Sequence, residues 1–522
     1  MAALAVVILG GGLSFFIFQG TNREEPIPWQ SKLLLPILFA ISVILRLAFV
    51  TETFVPPYFD SVEHFRLVKE LVTALESSTF LMTIPKLTPA YYHLGFHLLA
   101  SLLAFGLHTD PINVVLVLGQ VILAAIPIPV FFLIRNETKN DAAAFFGTIL
   151  AGFGWYMPGF AVNWGKYPAL AGLLAFEFVF CVAYFTSKQK RNRVFSVVIL
   201  ILSVLISVLF HSRTLVVILI SFTSWIIANH LSNLSKKFQY LVLGIFLTGI
   251  LILGILIQRE PLLNLALDPY LEDGIWVTLV VVILSLFAFM KFPKGSFFNV
   301  LFVVFTLPTL FISIGDWLSG FENQSLLDRP FVEMVLYLPL SLLGGLGLAG
   351  LFQFIQKIQF IPEKIYPYAR VLTTILFLGF AVLMPIKSYN FYPSDCCNFV
   401  GYDDTIAFDW LSRNTVLDAR ILIPSAQMNV LPSGPSATPV GTDAGIWIPP
   451  LTNRVTTFAA FDIDFSSEST LDQLCQEQVD YIYVGGTEQS FNATQLQAET
   501  TWYDAALSLP KTKLYKLIGC SR

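Results

Sequence analysis

The chain has 522 residues, of which 55% are hydrophobic and 13% charged, against roughly a quarter charged in an average soluble domain. Its net charge of -4, without a basic arm or stripe, excludes nucleic acid as a partner. No P-loop, Rossmann glycine pattern, HExxH, CxxC or GxSxG is present, so a nucleotide-driven pump, a zinc protease and a hydrolase of that type have no support.

Apolar stretches recur from Met1 to about Lys387, and then the texture changes. A spanning helix needs roughly 20 apolar residues. Candidate spans run near 4–19, 33–51, 112–134, 142–161, 168–186, 194–211, 214–229, 240–258, 274–290, 297–314, 332–352 and 370–387, about twelve in all. The first is read as a membrane helix and not a signal peptide, because no basic n-region or clear cleavage site accompanies it.

Lys and Arg favour the cytoplasmic side. The densest basic cluster is Lys188, Lys190, Arg191 and Arg193, followed by Lys236 with Lys237, Lys291 with Lys294, and Lys357 with Lys364. Placing all four inside demands an even number of crossings between neighbours, and the spans supply two each time. The connections at 52–111, 162–167, 212–213, 259–273 and 315–331, and everything after 388, then lie outside. Residues 91–107 are apolar but short for a span and carry His93 and His97. An interfacial helix there preserves the parity, so 52–111 reads as one external loop with interfacial helices.

Residues 389–522 read as a soluble α/β domain on the extracytoplasmic side, after a transmembrane domain over 1–388. DDTIAFDWLSRNT has helical periodicity, whereas ARILIPS and VDYIYVGG read as buried strands. Cys396, Cys397, Cys475 and Cys520 all fall in this module, which suggests at least one disulfide in an oxidising compartment. Four buried thiols are the plainer alternative.

Ionisable groups at membrane boundaries cost energy unless a site or a partner uses them. In FDSVEHFRLVKEL, Asp60, Glu63 and His64 stand at i, i+3 and i+4 and share a helix face. Asp60 as an N-cap with Glu63 closing a capping box is the purely structural reading. In NWGKYPAL, Lys166 and Tyr167 sit where one outward helix ends and the next begins; a lone lysine there usually snorkels, and Tyr167 suits an interfacial belt. FHSRTL places His211 and Arg213 in a tight outer turn between two very apolar helices, and the planar arginine fork suits phosphate. Asp328 and Arg329 lead into a helix that begins at Pro330, with Asp328 also fit to be its N-cap. Carboxylates and cations on one side of a membrane suit an anionic lipid-linked substrate with a general base beside it.

The chain resembles the GT-C superfamily of membrane glycosyltransferases, in the polyprenyl-phosphate-sugar-dependent branch of bacteria and archaea. The matching pieces are YFDSVEHFRL, YYHLGFHLL, GKYPAL, DRPFVEMVLYLPLSLLGGLGL, AFDWLSRNTVLDARIL and TDAGIWIPPLTNR. The resemblance implies a polytopic α-helical GT-C-like membrane protein. It also implies sugar transfer from a polyprenyl-phosphate donor to a protein, glycan or lipid acceptor at the outer leaflet. Asp60 would be the carboxylate that acts as base or positions the acceptor, with Glu63 as the second catalytic carboxylate. Lys166, Arg213 and Arg329 would meet the donor phosphate, and His64, Tyr167, His211 and Asp328 would complete the substrate site. Two departures stand out: the family often has two adjacent carboxylates, whereas Ser61 and Val62 separate Asp60 from Glu63, and Pro89 is followed by Ala90 where a Pro-Pro pair is common. Asp60 and Glu63 could hold a divalent cation, although their spacing does not specify one. A non-catalytic GT-C-derived scaffold or partner-binding subunit is the alternative. A secondary transporter ranks last, since no repeated pair of broken helices stands out.

Overall fold

The computed structural model describes residues 29–87, 93–188, 193–314, 325–357, 362, 365–427, 429–430, 434–435 and 439–520. The expected first span at 4–19, Lys190 and Arg191 of the densest basic cluster, Lys364, and the Pro89–Ala90 departure lie outside these residues.

Under every other expected span there is a helix. Among the described residues seven are long and apolar enough to cross a membrane, or eight if the pair Pro261–Leu271 and Ile275–Lys291, bent by 85°, counts as one broken span. On these and the neighbouring apolar helices, Ile201, Leu205, Leu219, Ile226, Ile252, Ile375 and Leu383 lie exposed. Apolar side chains turned outward along long helices are what lipid solvates. The chain is thus a multi-pass membrane protein.

Two segments differ from the periodicity reading. The span expected at 142–161 is helical over Asp141–Phe153; Pro158 follows, and the chain makes a short 3-10 turn at Gly159–Val162. Proline offers no amide hydrogen to continue a helix. The connection at 259–273, expected as an outer loop, is itself a helix, Pro261–Leu271, with proline in its first turn.

Close backbone approach tightens the bundle. The glycines of LGGLGLAG lie in the Tyr337–Ile355 helix. A Cβ at Gly347 would press into the carbonyl of Leu284 on the neighbouring Ile275–Lys291 helix. Small residues at helix crossings give the van der Waals contact that replaces the hydrophobic effect in lipid.

After the last long helix, Tyr366–Ser388, and the Tyr402–Asn414 helix, the chain turns to strands. In order they are β1 Arg420–Ala426, β2 Asn429–Val430, β3 Gly434–Pro435, β4 Val440–Gly441, β5 Val455–Ala460, β6 Tyr481–Val484, β7 Tyr503–Ser508 and β8 Lys513–Leu517. β1 is central: β5 and β6 flank it in parallel, β4 meets its end antiparallel, and β8 and β7 extend the sheet antiparallel from β6. β2 and β3 pair separately. Five of the seven β1 residues are buried, as the apolar run ARILIPS requires for a strand covered on both faces. Cys475 is bonded to Cys520, at S–S 2.00 Å, and Cys396 to Cys397.

The Phe59–Glu76 helix joins the two regions. Its Phe65, with Val55 just before it, packs into one core with Ala407, Leu411, Ile423 and Trp447. The Phe65 and Trp447 ring centroids are 5.5 Å apart. Its opposite face buries Leu67 and Leu71 against Leu94. The start of this helix is therefore held from both sides.

Candidate functional site

The candidate site is a pocket of about 150 Å³ lined by Asp60, His64, Lys166, His211, Arg213 and Asp328, with His93 added and Pro168, Pro330 and Met334 among its apolar walls. Five pieces of chain meet there.

Asp60 stands in the first turn of the Phe59–Glu76 helix, whose N-cap is Tyr58 and has no side-chain cap hydrogen bond. Asp60 is not a cap; its carboxylate sits at the positive end of the helix dipole, which favours its charge. Tyr58 takes φ 69°, and its backbone amide donates to the Cys397 carbonyl at 2.9 Å. Burial, helped by Asp60, raises the Tyr58 phenol above its ordinary value.

Lys166 donates to Asp60 Oδ2 at 2.5 Å. The preceding Gly165, at φ +65°, makes this reach feasible: a Cβ there would strike the Ser61 hydroxyl. Only a residue without a side chain accepts both that dihedral and that contact at low cost. Burial opposes the Lys166 charge, but Asp60 and Asp328 outweigh it and hold the amine above its usual value.

Arg213 Nη1 donates to Asp328 Oδ2 at 2.6 Å. Asp328 is also the N-cap of the Arg329–Val335 helix, accepting from the Phe331 amide at 3.1 Å. One side chain thus caps a helix and pairs across the pocket.

Three histidines fill the floor. His64 Nδ1 lies 3.0 Å from His97 Nε2. The His93 and His211 ring centroids are 4.5 Å apart. A Cβ at Gly95 would come within 2.8 Å of the Leu209 carbonyl, so the Gly95–Leu107 helix presses its start against the Arg193–Phe210 helix and brings His93 to His211. Burial, then Lys166, pushes His64 down to about 3. Burial, then Arg213, pushes His93 down to about 4. Burial, with His93 and Arg213 adding to it, takes His211 well below 6.5. All three are neutral at pH 7, so the pocket's charges are two carboxylates and two cations.

The other three expected site residues lie elsewhere. Glu63 accepts from Arg66 at 2.8 and 2.6 Å on the helix flank away from the pocket. Tyr167 is fully buried, stacked on Phe96 at 5.9 Å. Arg329 is just outside the lining, its guanidinium 5.4 Å from the Trp164 ring centre and its Nε 3.3 Å from Glu333. Asp60 and Glu63 do not fit a shared cation, since each is turned to its own basic partner. Among the described residues no three His, Cys, Asp or Glu side chains converge as metal ligands. His93 is the lining residue absent from the expected set; its i, i+4 spacing with His97 was the available signal.

Beside the pocket lies a far larger cleft of about 1140 Å³. Tyr58 and Phe59 line it from the helical region, and Asn398, Phe399, Thr442 and Gln489 from the sheet region.

The sequence model of DUF6541, a family of unknown function, matches residues 1–320. The chain belongs to that family. No curated protein matches it in sequence. Among solved structures it is similar to the Archaeoglobus fulgidus oligosaccharyltransferase, in complex with Zn and sulfate, at TM-score 0.50 and 12% identity over 92% of this chain and 72% of that one. It also matches the arabinofuranosyltransferase AftD from Mycobacteria at TM-score 0.36 and 10% identity, over 93% of this chain and 40% of that longer one, a likeness too slight to bear on the fold. The DUF6541 chain therefore has a GT-C-like fold: a polytopic helical membrane part followed by a C-terminal sheet region.

Proposed function

We propose that this DUF6541 member is a membrane glycosyltransferase that moves a sugar from a polyprenyl-phosphate donor to an acceptor on the extracytoplasmic side. The observation that carries the reading is the meeting of Asp60, Lys166, Arg213 and Asp328 in one pocket at the outer ends of otherwise apolar helices. The basic clusters of the sequence support an outward orientation for that end.

In transfer, an acceptor hydroxyl attacks the anomeric carbon and the carbon–oxygen bond to phosphate breaks. The phosphate leaves with the bonding electrons. Lys166 and Arg213 are the cations placed to take up that charge, and Asp60 the carboxylate placed to accept the hydroxyl proton. The Asp60–Lys166 pair has a role in this scheme. A donor phosphate that draws Lys166 to itself frees the carboxylate, so the base becomes available when the leaving group is bound. The polar cleft with Tyr58 and Phe59 on its wall would admit the acceptor next to Asp60. No step calls on a metal.

Binding of a polyprenyl-phosphate sugar mixture and its transfer should be measured on the purified full chain. Arg213→Ala is expected to lose donor binding. Asp60→Asn is expected to keep binding and lose at least a hundredfold in transfer. Wild-type transfer by Asp60→Asn would remove the catalytic assignment. The scaffold reading draws on each pocket carboxylate already having a cation; a wild-type chain that binds no sugar lipid would bring it forward.

A further inference from the structure

At the opposite end of the helices that form the Asp60 pocket there is a second cavity of about 70 Å³. Ala169 of the Tyr167–Lys188 helix lines the first pocket and Tyr184 of the same helix the second, fifteen residues or about 22 Å apart at 1.5 Å per residue. The second cavity thus belongs to the other leaflet. Its walls are apolar: Phe180 and Phe298, stacked at 4.9 Å, with Leu342 and Leu346.

Two features set it apart from a packing defect. Asn299 lines it while only 1% exposed. Its amide nitrogen donates to the Gly295 carbonyl at 2.9 Å, and its Oδ1 has no partner. A buried acceptor without a donor destabilises the fold, a cost that a ligand hydroxyl or amide would remove. Lys294 stands five residues earlier on the same helix, about 7 Å nearer the mouth. Its ammonium lies 5.6 Å from the Trp225 ring centre. Among the described residues no carboxylate forms an ion pair with it, because Glu137 is engaged by Lys188 at 2.8 Å and by the Tyr184 hydroxyl. Glu137 lines the mouth as well and feels both Lys188 and Lys294, so these three charges leave the mouth one net positive charge, beside Trp225 and Tyr184, aromatic residues of the type that sits at headgroup depth.

We infer that this cavity binds a phosphate-bearing membrane lipid from the leaflet opposite the Asp60 pocket. The phosphate pairs with Lys294, a polar donor of the glycerol or headgroup region meets Asn299 Oδ1, and one chain lies against the Phe180–Phe298 stack and Leu346. Five helices contribute lining residues, so the bound lipid would tie them together. The inference needs a membrane but not the catalytic reading of Asp60.

The test is lipid retention by the intact chain in mild detergent, read by native mass spectrometry and thermal melting. The probes are phosphatidylglycerol, lysophosphatidylglycerol and, as a lipid without phosphate, a galactosyl diacylglycerol. Wild type is expected to retain one phosphate lipid and melt higher with it. The diacyl and lyso arms tell which form the slot takes. Lys294→Gln and Asn299→Leu are each expected to cut retention at least tenfold. Asn299→Leu removes the orphan acceptor, so without lipid it should melt no lower than wild type, which separates lost binding from lost folding. Equal retention of the galactolipid, or unchanged retention by both variants, would overturn the site.

Discussion

Arg46 is a cation buried to 3% exposure in the Trp29–Thr51 helix, and among the described residues no carboxylate pairs with it. It is held by hydrogen bonds and rings. Nη1 donates to the Tyr389 hydroxyl and Nη2 to the Gly152 carbonyl, both at 2.7 Å. Its guanidinium lies 5.3 Å from the Phe153 ring centre and 5.4 Å from that of Tyr389. These contacts fasten three parts of the chain: a membrane helix, the end of the Asp141–Phe153 helix, and the first residue after the last long helix. Arg46→Ala is expected to cost about 3 kcal/mol through two charged hydrogen bonds, and denaturant unfolding would measure it. Lysine at this position should recover only part, since it cannot span both acceptors with a planar fork. Arg46 escaped a reading of the sequence that looked for charge at helix ends, because it sits within an apolar run. The same is true of Glu177, which is fully buried and accepts from the Tyr337 hydroxyl. Glu63 could have been assigned from the sequence: Glu63, Arg66 and Glu70 at i, i+3 and i+7 read as an ion-pair ladder along one helix flank, and the two ion pairs form there.

At the scale of elements, the pocket depends on two close approaches of backbone, at Gly95 against Leu209 and at Gly165 against Ser61. The turn at Gly159–Lys166 must press on the first turn of the Phe59–Glu76 helix, and Gly165 with φ +65° is where it does so. Gly165→Ala carries a dihedral cost of about 1–2 kcal/mol and a clash with Ser61. It should move Lys166 away from Asp60. The expected outcome is a loss of donor binding and transfer larger than the loss of stability, with both measured on the same preparation. A fall in melting temperature with donor affinity unchanged would show that the turn supports the fold and not the pocket. The elements themselves were legible where the apolar runs are long, because a run of that length has no alternative to a membrane helix. Asp60, Lys166, Arg213 and Asp328 were legible because charge at the edge of such runs needs a reason. The pairing of those four was not, since it joins residues more than a hundred positions apart. Nor was the place of His93: periodicity puts it near an apolar face without saying which helix faces it.

For the whole molecule, the two regions carry buried titrating groups of opposite sign. His64 and His93 are pushed down to about 3 and about 4, from an unfolded value of about 6.5. The unfolded chain therefore takes up protons below about pH 6.5 that the folded chain does not. The stability these residues contribute is complete above that pH and is lost as pH falls toward 4. Two such protons amount to a slope of about 2.7 kcal/mol per pH unit near pH 5. In the sheet region, burial raises Asp443 to about 7 although Ser490, Gly445 and Gly485 donate to it. Here the folded form holds a proton that the unfolded form has released, so the contribution is present at acid pH and lost as pH rises through about 7. Acidification from pH 7 to 5 should thus loosen the helical side of the junction while firming the sheet. Hydrogen exchange resolved by region at pH 5, 6 and 7, at matched exchange chemistry, would follow this. Protection over Phe59–Glu76 should fall, and protection over Arg420–Ala426 should hold or rise. Replacing His64 and His93 by glutamine should flatten the first trend and leave the second. A uniform change across both regions would mean that the junction through Phe65 and Trp447 makes the molecule unfold as one unit, with the opposing slopes summed in a single transition.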